Sequence, residues 1–216
     1  MADIGKNIGE AKRLLDANKL VAIPTETVYG LAGNAFNEDA VLEIFKVKQR
    51  PSFDPLIVHA SSLDQIRGFV KEIPAQAEML AQKLWPGPLT MLLKKNSTIP
   101  DLVTSGLDTV AVRIPRHPLT LALLNSLDYP LAAPSANPFG YISPTKAIHV
   151  NEQLGDSIEY ILDGGDCLIG VESTIISFEE KIPTILRLGG QPIERLKELL
   201  GAVKINEHSS SQPDAP

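Results

Sequence analysis

Along this chain, stretches with apolar residues at helical spacing alternate with short continuous apolar runs, and the two patterns predict a helix-strand succession. Ile8 to Ala17 carries a helical stripe, and Leu20 to Ile23 is an apolar strand that Pro24 stops. A polar loop, Pro24-Thr25-Glu26-Thr27-Val28-Tyr29-Gly30-Leu31, follows. Val41, Ile44 and Phe45 then share one face, so Asp39 to Lys48 is predicted to be helical, and Pro51 prevents the helix from passing Arg50. The loop and the Lys48-Gln49-Arg50-Pro51 turn are expected to face one another across a short α/β unit.

Further on, Leu56 to His59 reads as a strand, Leu63 to Val70 and Ala75 to Leu84 as helices, and Leu89 to Leu93 and Thr109 to Ile114 as strands. Pro118 to Leu127 is helical by pattern, Leu131 to Ala133 a short strand, and Thr145 opens another helix. Strands follow near Ile158 to Leu162, Ser173 to Phe178 and Thr184 to Leu188, with a closing helix over Pro192 to Leu200. Strands alternate with helices early and crowd together late, which predicts an α/β fold with a twisted, mixed parallel and antiparallel sheet flanked by helices. Residues 1–205 read as one domain, and the polar stretch from Asn206 to Pro216 as a disordered tail.

With 216 residues, 44% of them hydrophobic, the chain can bury a full core. No run approaches the roughly 18 uninterrupted apolar residues of a membrane span, and the first residues contain no hydrophobic signal core, so a soluble, cytoplasmic protein is expected. Cys167 is the only cysteine and the four histidines lie far apart, which argues against a disulfide and a structural zinc. A formal net charge of -6 argues against a broad electrostatic grip on nucleic acid and confines any basic surface to a pocket.

The common phosphate-loop, dinucleotide, nucleophile-elbow and zinc-protease signatures are missing. What remains at predicted strand ends is a binding inventory of hydroxyls, amides and cations: Thr25, Thr27, Lys48, Arg50, His59, Arg113, Ser135, Asn137, Ser143, Ser173 and Arg187. Each has a structural alternative. Thr25 and Thr27 suit a turn cap, Lys48 and Arg50 a solvated helix end, and His59 a buried, satisfied histidine. Arg113 interrupts an apolar run and needs an anion or solvent, and the double-proline turn around Ser135 and Asn137 fits either plain turn chemistry or a rigid ligand contact.

Several stretches occur in the order found in one family: the Thr25 to Leu31 loop, Lys48-x-Arg50-Pro51, Asp54-Pro55-Leu56, Trp85-Pro86-Gly87-Pro88-Leu89-Thr90, Val110 to Pro115, Pro134-Ser135-Ala136-Asn137, Val171-Glu172-Ser173-Thr174 and Leu186-Arg187-Leu188-Gly189. Together they resemble the YrdC/Sua5 family across roughly Ile8 to Leu200. That family makes L-threonylcarbamoyladenylate from threonine, bicarbonate or CO2, and ATP, releasing pyrophosphate. The product feeds the threonylcarbamoyl (t6A) modification of a tRNA adenosine.

The resemblance implies a YrdC-like twisted fold with a large concave pocket. It assigns threonine to Thr27, His59, Arg113 and Ser173, and ATP, with its Mg²⁺, to Arg50, Thr109, Ser135, Asn137, Ser143 and Arg187. Lys48 and Asn137 complete the family's Lys-x-Arg and Ser-x-Asn signature, and Lys48 with Arg50 is read as catalytic. No dedicated metal ligand is expected. The product is expected to pass to the tRNA-modifying machinery without a membrane or direct tRNA binding. Where the family usually has asparagine, this chain has Asp54, which places an ATP contact there in question. Long members carry a further C-terminal domain after the equivalent of Leu200, and the chain is expected to lack it. Two other readings stand beside this one: a relative making carbamoyl-adenylate, and a double-stranded RNA-binding module.

Overall fold

The computed structural model describes residues 1–51 and 54–206. The chain opens with β1 (Asp3–Gly5) and α1 (Ile8–Asp16), whose N-terminus is capped by the Asn7 side chain accepting from the backbone of Gly9 and Glu10. A hairpin of β2 (Val21–Ile23) and β3 (Gly30–Asn34) leads into α2 (Glu38–Lys48). This helix ends where Gln49 takes a left-handed φ of 52° just before Pro51. Then come β4 (Ile57–His59), α3 (Leu63–Arg67), α4 (Ala75–Leu84), β5 (Leu89–Lys94), α5 (Asp101–Thr104) and β6 (Thr109–Arg113). The remainder comprises α6 (Pro118–Asn125), β7 (Leu131–Ala132), α7 (Ala147–Leu154), β8 (Tyr160–Leu162), β9 (Thr174–Ser177), β10 (Thr184–Arg187), α8 (Ile193–Leu200) and β11 (Lys204–Ile205).

The strands form one sheet in the order β1-β8-β2-β3-β7-β4-β6-β5-β9-β10-β11. Pairings such as β4 with β6 and β5 with β9 are parallel, while β2 with β3, β5 with β6 and β9 with β10 are antiparallel, so the sheet is mixed as the crowded strand pattern predicts. Strand alternation divides the core between two faces. Ala22, Leu31, Ala132 and Ile161 join a large cluster with α2, α4, α7 and α8, whereas Val21, Ile23, Ala32, Leu131 and Tyr160 pack against α1 and α6.

Farther along the sheet the second face is different. Ile57 of β4, Leu92 of β5, Ala111 of β6 and Ile175 of β9, with Leu186 of β10 against them, form a small apolar cluster that contains no helical residue. That open face is where a ligand has room to lie.

The main departure from the sequence reading is β3. Its Gly-Leu-Ala-Gly-Asn sequence has little intrinsic strand preference, yet it is buried between β2 and β7 by ladder pairing. The unit containing the two polar turns is therefore a hairpin followed by a helix, not a simple α/β unit. β1, α5 and β11 were also without a pattern signal, being only two to four residues long. The helix expected from Leu63 to Val70 stops at Arg67, and the one expected from Thr145 starts at Ala147. Asn206, the first residue of the expected tail, donates its backbone N–H to Ile185 O, and residues 207–216 lie outside the described residues. Among the described residues no helix is long and apolar enough to cross a membrane.

Candidate active site

The loop after β2, the α2–β4 connection, the C-terminal ends of β4 and β6, the turn after β7 and the entry to β9 surround a cleft of about 210 Å³. Thr27, Arg50, Asp54, His59, Arg113, Ser135, Ser173 and Arg187 all line it, joined by Thr25 and Glu172. Residues separated by more than 150 positions thus meet around one cleft. One of them owes its place to an irregularity. In β10, Thr184 and Ile185 pair with Ser177 and Ile176, after which the register shifts so that Arg187, not Leu186, lies opposite Ile175. The bulge puts Arg187 on the open face that strict alternation would deny it.

Thr25 has a structural role: its hydroxyl accepts from Thr27 N at 3.1 Å and Val28 N at 3.2 Å and donates to Val28 O at 2.6 Å, closing the turn. This fixes Thr27, whose hydroxyl accepts from Arg113 Nη1 at 2.9 Å. Arg113 also donates from Nε to Gly87 O at 3.2 Å. Its Nη2 lies 2.9 Å from Glu26 Oε1, an ion-pair contact off the line of a good hydrogen bond. Both side chains of that pair are only 4% exposed, so each is the other's principal charge compensation.

The other two arginines are paired as well. Arg50 Nη2 lies 2.9 Å from Asp54 Oδ2, and its guanidinium also donates to Asp54 O and Pro55 O and stands 6.0 Å from the Phe139 ring. Asp54 is therefore Arg50's counter-ion, and burial moves its carboxyl upward against the pull of Arg50. Arg187 Nη1 lies 2.5 Å from Glu172 Oε2, while Arg187 holds Ser173 through its backbone O at 3.1 Å and its hydroxyl at 3.2 Å. Ser173 Oγ is also 2.7 Å from Thr90 Oγ1. Glu26 and Glu172 were missed as site residues in the sequence reading. The available signals were that buried arginines need anions, and that each carboxylate adjoins a site hydroxyl in sequence.

Lys48 is not the solvated helix end of the bland reading. It is 1% exposed, and its ammonium donates to Ser135 O and Asn137 O, each at 2.5 Å, instead of lining the cleft. Phe139 N donates back to Lys48 O at 2.7 Å. The end of α2 thereby grips the turn that presents Ser135. Burial, followed by the Arg50 charge, pushes the Lys48 amine down to about 7. Asn137 is likewise turned away from the cleft, donating to Tyr141 O at 2.8 Å and steadying the same segment.

Ser143 does not line the cleft either, but its hydroxyl donates to Glu172 Oε1 at 3.1 Å. Thr109 stands at the start of β6, on the face of Ala111 and Arg113 but about 13 Å from the latter by strand rise. It lines a separate cavity of about 620 Å³ with Ser177, Thr184, Leu186 and Lys204. The apolar cluster of Ile57, Ala111 and Leu186 lies between the two.

His59 is 3% exposed and its Nδ1 has no hydrogen-bond partner. Burial, reinforced by the Arg113 charge, pushes the imidazole down to about 3, so it is neutral at physiological pH. The cleft thus combines a neutral imidazole and hydroxyls with the guanidinium groups of Arg50, Arg113 and Arg187. Such a surface can hold a small polar molecule against an anion, and among the described residues that line it there is no nucleophile-base pair. Among the described residues, no group of three or more His, Cys, Asp or Glu could hold a metal ion.

Residues 13–189 match a family profile named Sua5_yciO_yrdC and described as "Telomere recombination". The chain is 52% identical over 188 residues to a Pyrococcus abyssi protein named threonylcarbamoyl-AMP synthase, covering 87% of this chain and 55% of that one. It is 46% identical over 210 residues to the Bacillus subtilis protein of the same name, covering 97% and 61%. A crystal structure of P. abyssi Sua5 complexed with L-threonine superimposes with a TM-score of 0.95 at 46% identity, covering 100% of this chain and 66% of that one. The chain spans a little over half the length of these two curated relatives. With the match running through nearly every cleft-lining segment, from the Thr25 loop to Arg187, the chain belongs to the Sua5/YciO/YrdC family.

Proposed function

We propose that this chain forms L-threonylcarbamoyl-AMP and pyrophosphate from L-threonine, bicarbonate or CO2, and ATP, as an adenylyltransferase-type enzyme. The observation that carries the proposal is the cleft itself: Thr27, His59, Arg113 and Ser173 stand together, beside Arg50 and Arg187. Support comes from relatives named for this product and from a neighbour solved with L-threonine. In this reading threonine occupies the Thr27–His59–Arg113 side. The contacts of Arg113 with Gly87, Thr27 and Glu26 do not exhaust the donors of a guanidinium, leaving capacity to hold a carboxylate. Neutral His59 offers a ring nitrogen near the amine without adding positive charge against it.

The amine attacks CO2 and loses a proton, giving a carbamate. A carbamate oxygen then attacks the α-phosphorus, and the bond to the β-phosphate oxygen breaks as pyrophosphate leaves. The attacking group is already an anion, so positioning and charge neutralisation are the main tasks, and Arg50 and Arg187 are suited to both. In this reading Lys48 acts by holding the Ser135 turn, the role its two carbonyl contacts support. A cleft of about 210 Å³ is smaller than the roughly 300–1,000 Å³ of pockets that enclose drug-sized ligands, so it takes the reacting groups while the nucleoside extends along the open face towards Thr109.

Among the described residues no group of three or more His, Cys, Asp or Glu could form a cage for Mg²⁺, and Asp54 and Glu172 each face an arginine. The ion enters as part of the substrate, bound to the triphosphate. The product then feeds tRNA threonylcarbamoyladenosine formation. The test is pyrophosphate release with ATP, Mg²⁺ and bicarbonate, with and without threonine, plus mass analysis of the product. Threonine-dependent threonylcarbamoyl-AMP is expected. Absence of turnover under every combination, or salt-sensitive RNA binding alone, would overturn the proposal.

A further inference from the structure

Of the three arginine-carboxylate pairs around the cleft, two are built in. Glu26 is 4% exposed and also accepts from Arg116 N at 2.9 Å, and Asp54 is 15% exposed and lies one helical turn from Arg50 in sequence. The third is different. The Glu172 side chain is 37% exposed, and one carboxylate spans two separate walls: Oε2 contacts Arg187 Nη1 at the end of β10, while Oε1 accepts from Ser143 Oγ in the segment before α7. Its backbone is fixed independently, with Gly190 N donating to Glu172 O at 2.8 Å, so the side chain can swing without moving the chain. Its negative field also acts on Lys48, Arg50 and Arg113 as well as on Arg187. A carboxylate that accepts from a guanidinium and a hydroxyl while facing four cations occupies the electrostatic position of a phosphate oxygen.

We propose that Glu172 is a displaceable counter-ion, holding Arg187 and Ser143 in the empty cleft and giving both up to a phosphate group of the nucleotide. This inference rests on the activity proposed above and adds a residue that lowers nucleotide affinity while keeping a half-buried arginine oriented and neutralised. The carboxylate competes with phosphate for the same donors. Removing its charge while keeping its shape should therefore tighten phosphate binding more than it alters threonine binding, because Glu172 contacts Arg187 and Ser143 directly and reaches Arg113 only through its field.

The test is calorimetric titration of the full chain and its Glu172→Gln variant with sodium pyrophosphate in EDTA, which separates this role from metal binding, and with L-threonine as a control. The variant is expected to bind pyrophosphate roughly two- to fivefold more tightly, the range set by one partly exposed charge pair, with a smaller change in threonine affinity. In an Arg187→Gln background the same substitution should have a clearly smaller effect. Unchanged or weaker pyrophosphate binding by a Glu172→Gln variant that melts normally overturns the proposal, as does tightening of undiminished size without Arg187. A wild-type chain that binds neither pyrophosphate nor ATP would remove the proposed activity together with this inference. Turnover by the wild type with no tightening in the variant would remove the inference alone.

Discussion

His59 should make this fold acid-sensitive in a way that a single substitution can isolate. The imidazole titrates near 6.5 when exposed and is pushed down to about 3 in the folded chain. Between those values the unfolded chain binds a proton that the native chain does not, so stability falls as pH falls through this window. The steepest slope is about 1.4 kcal/mol per pH unit, and the loss accumulated between pH 7.5 and 4.5 is about 2.7 kcal/mol. A loss of this size is a substantial fraction of the roughly 5–15 kcal/mol that holds a domain folded. The assay is urea unfolding over this pH range for the wild type and for His59→Gln, which keeps a polar side chain without a titrating ring. The carboxylates and His117, itself lowered by burial, titrate in both proteins, so the difference between the two curves reports His59. Parallel curves would refute the reasoning and mean that the buried imidazole takes up its proton without opposition.

Three further perturbations test the other contacts. Lys48→Met should leave Asn137 O without its ammonium donor, costing about 1–3 kcal/mol, or about 2–4 °C of melting temperature per kcal/mol, and raising the KM for ATP more than that for threonine. An unchanged melting temperature with lost turnover would show the ammonium acting on substrate directly. Arg113→Ala should cost about 3–5 kcal/mol by stranding Glu26. The binding role is therefore better read from Arg113→Lys, which should raise the threonine requirement well beyond the ATP requirement; equal changes would remove the assignment. At Gly189 an added Cβ would lie 2.3 Å from Glu172 O and 2.5 Å from Ser173 C, both backbone atoms. Gly189→Ala is expected to lower the melting temperature and weaken pyrophosphate binding together, as measured by thermal unfolding and calorimetry, and a variant identical to wild type would show that the segment has slack.

The sequence by itself determined the helices and most strands, because stripes such as Val41-Ile44-Phe45 and runs such as Val110-Ala111-Val112 carry their own period. Its short motifs, read with the family resemblance, also supplied most of the cleft: Thr27, Arg50, His59, Arg113, Ser135, Ser173 and Arg187 all follow from that reading and all line it. Only the tertiary structure decided how these residues are compensated and aimed. β3 is a strand because its neighbours pair with it, not because Gly30-Leu31-Ala32-Gly33-Asn34 prefers to be one. Lys48 became a strut when the Ser135–Asn137 turn, some 87 residues away, brought two carbonyls to its ammonium. Arg187 reached the open face through a bulge that no alternation pattern contains, and Glu26 and Glu172 became partners of specific arginines through contacts remote in sequence. Local preference repeats along the chain and can be read from it. Pairing register and charge compensation depend on which distant segments meet, and that is fixed only by the packed fold.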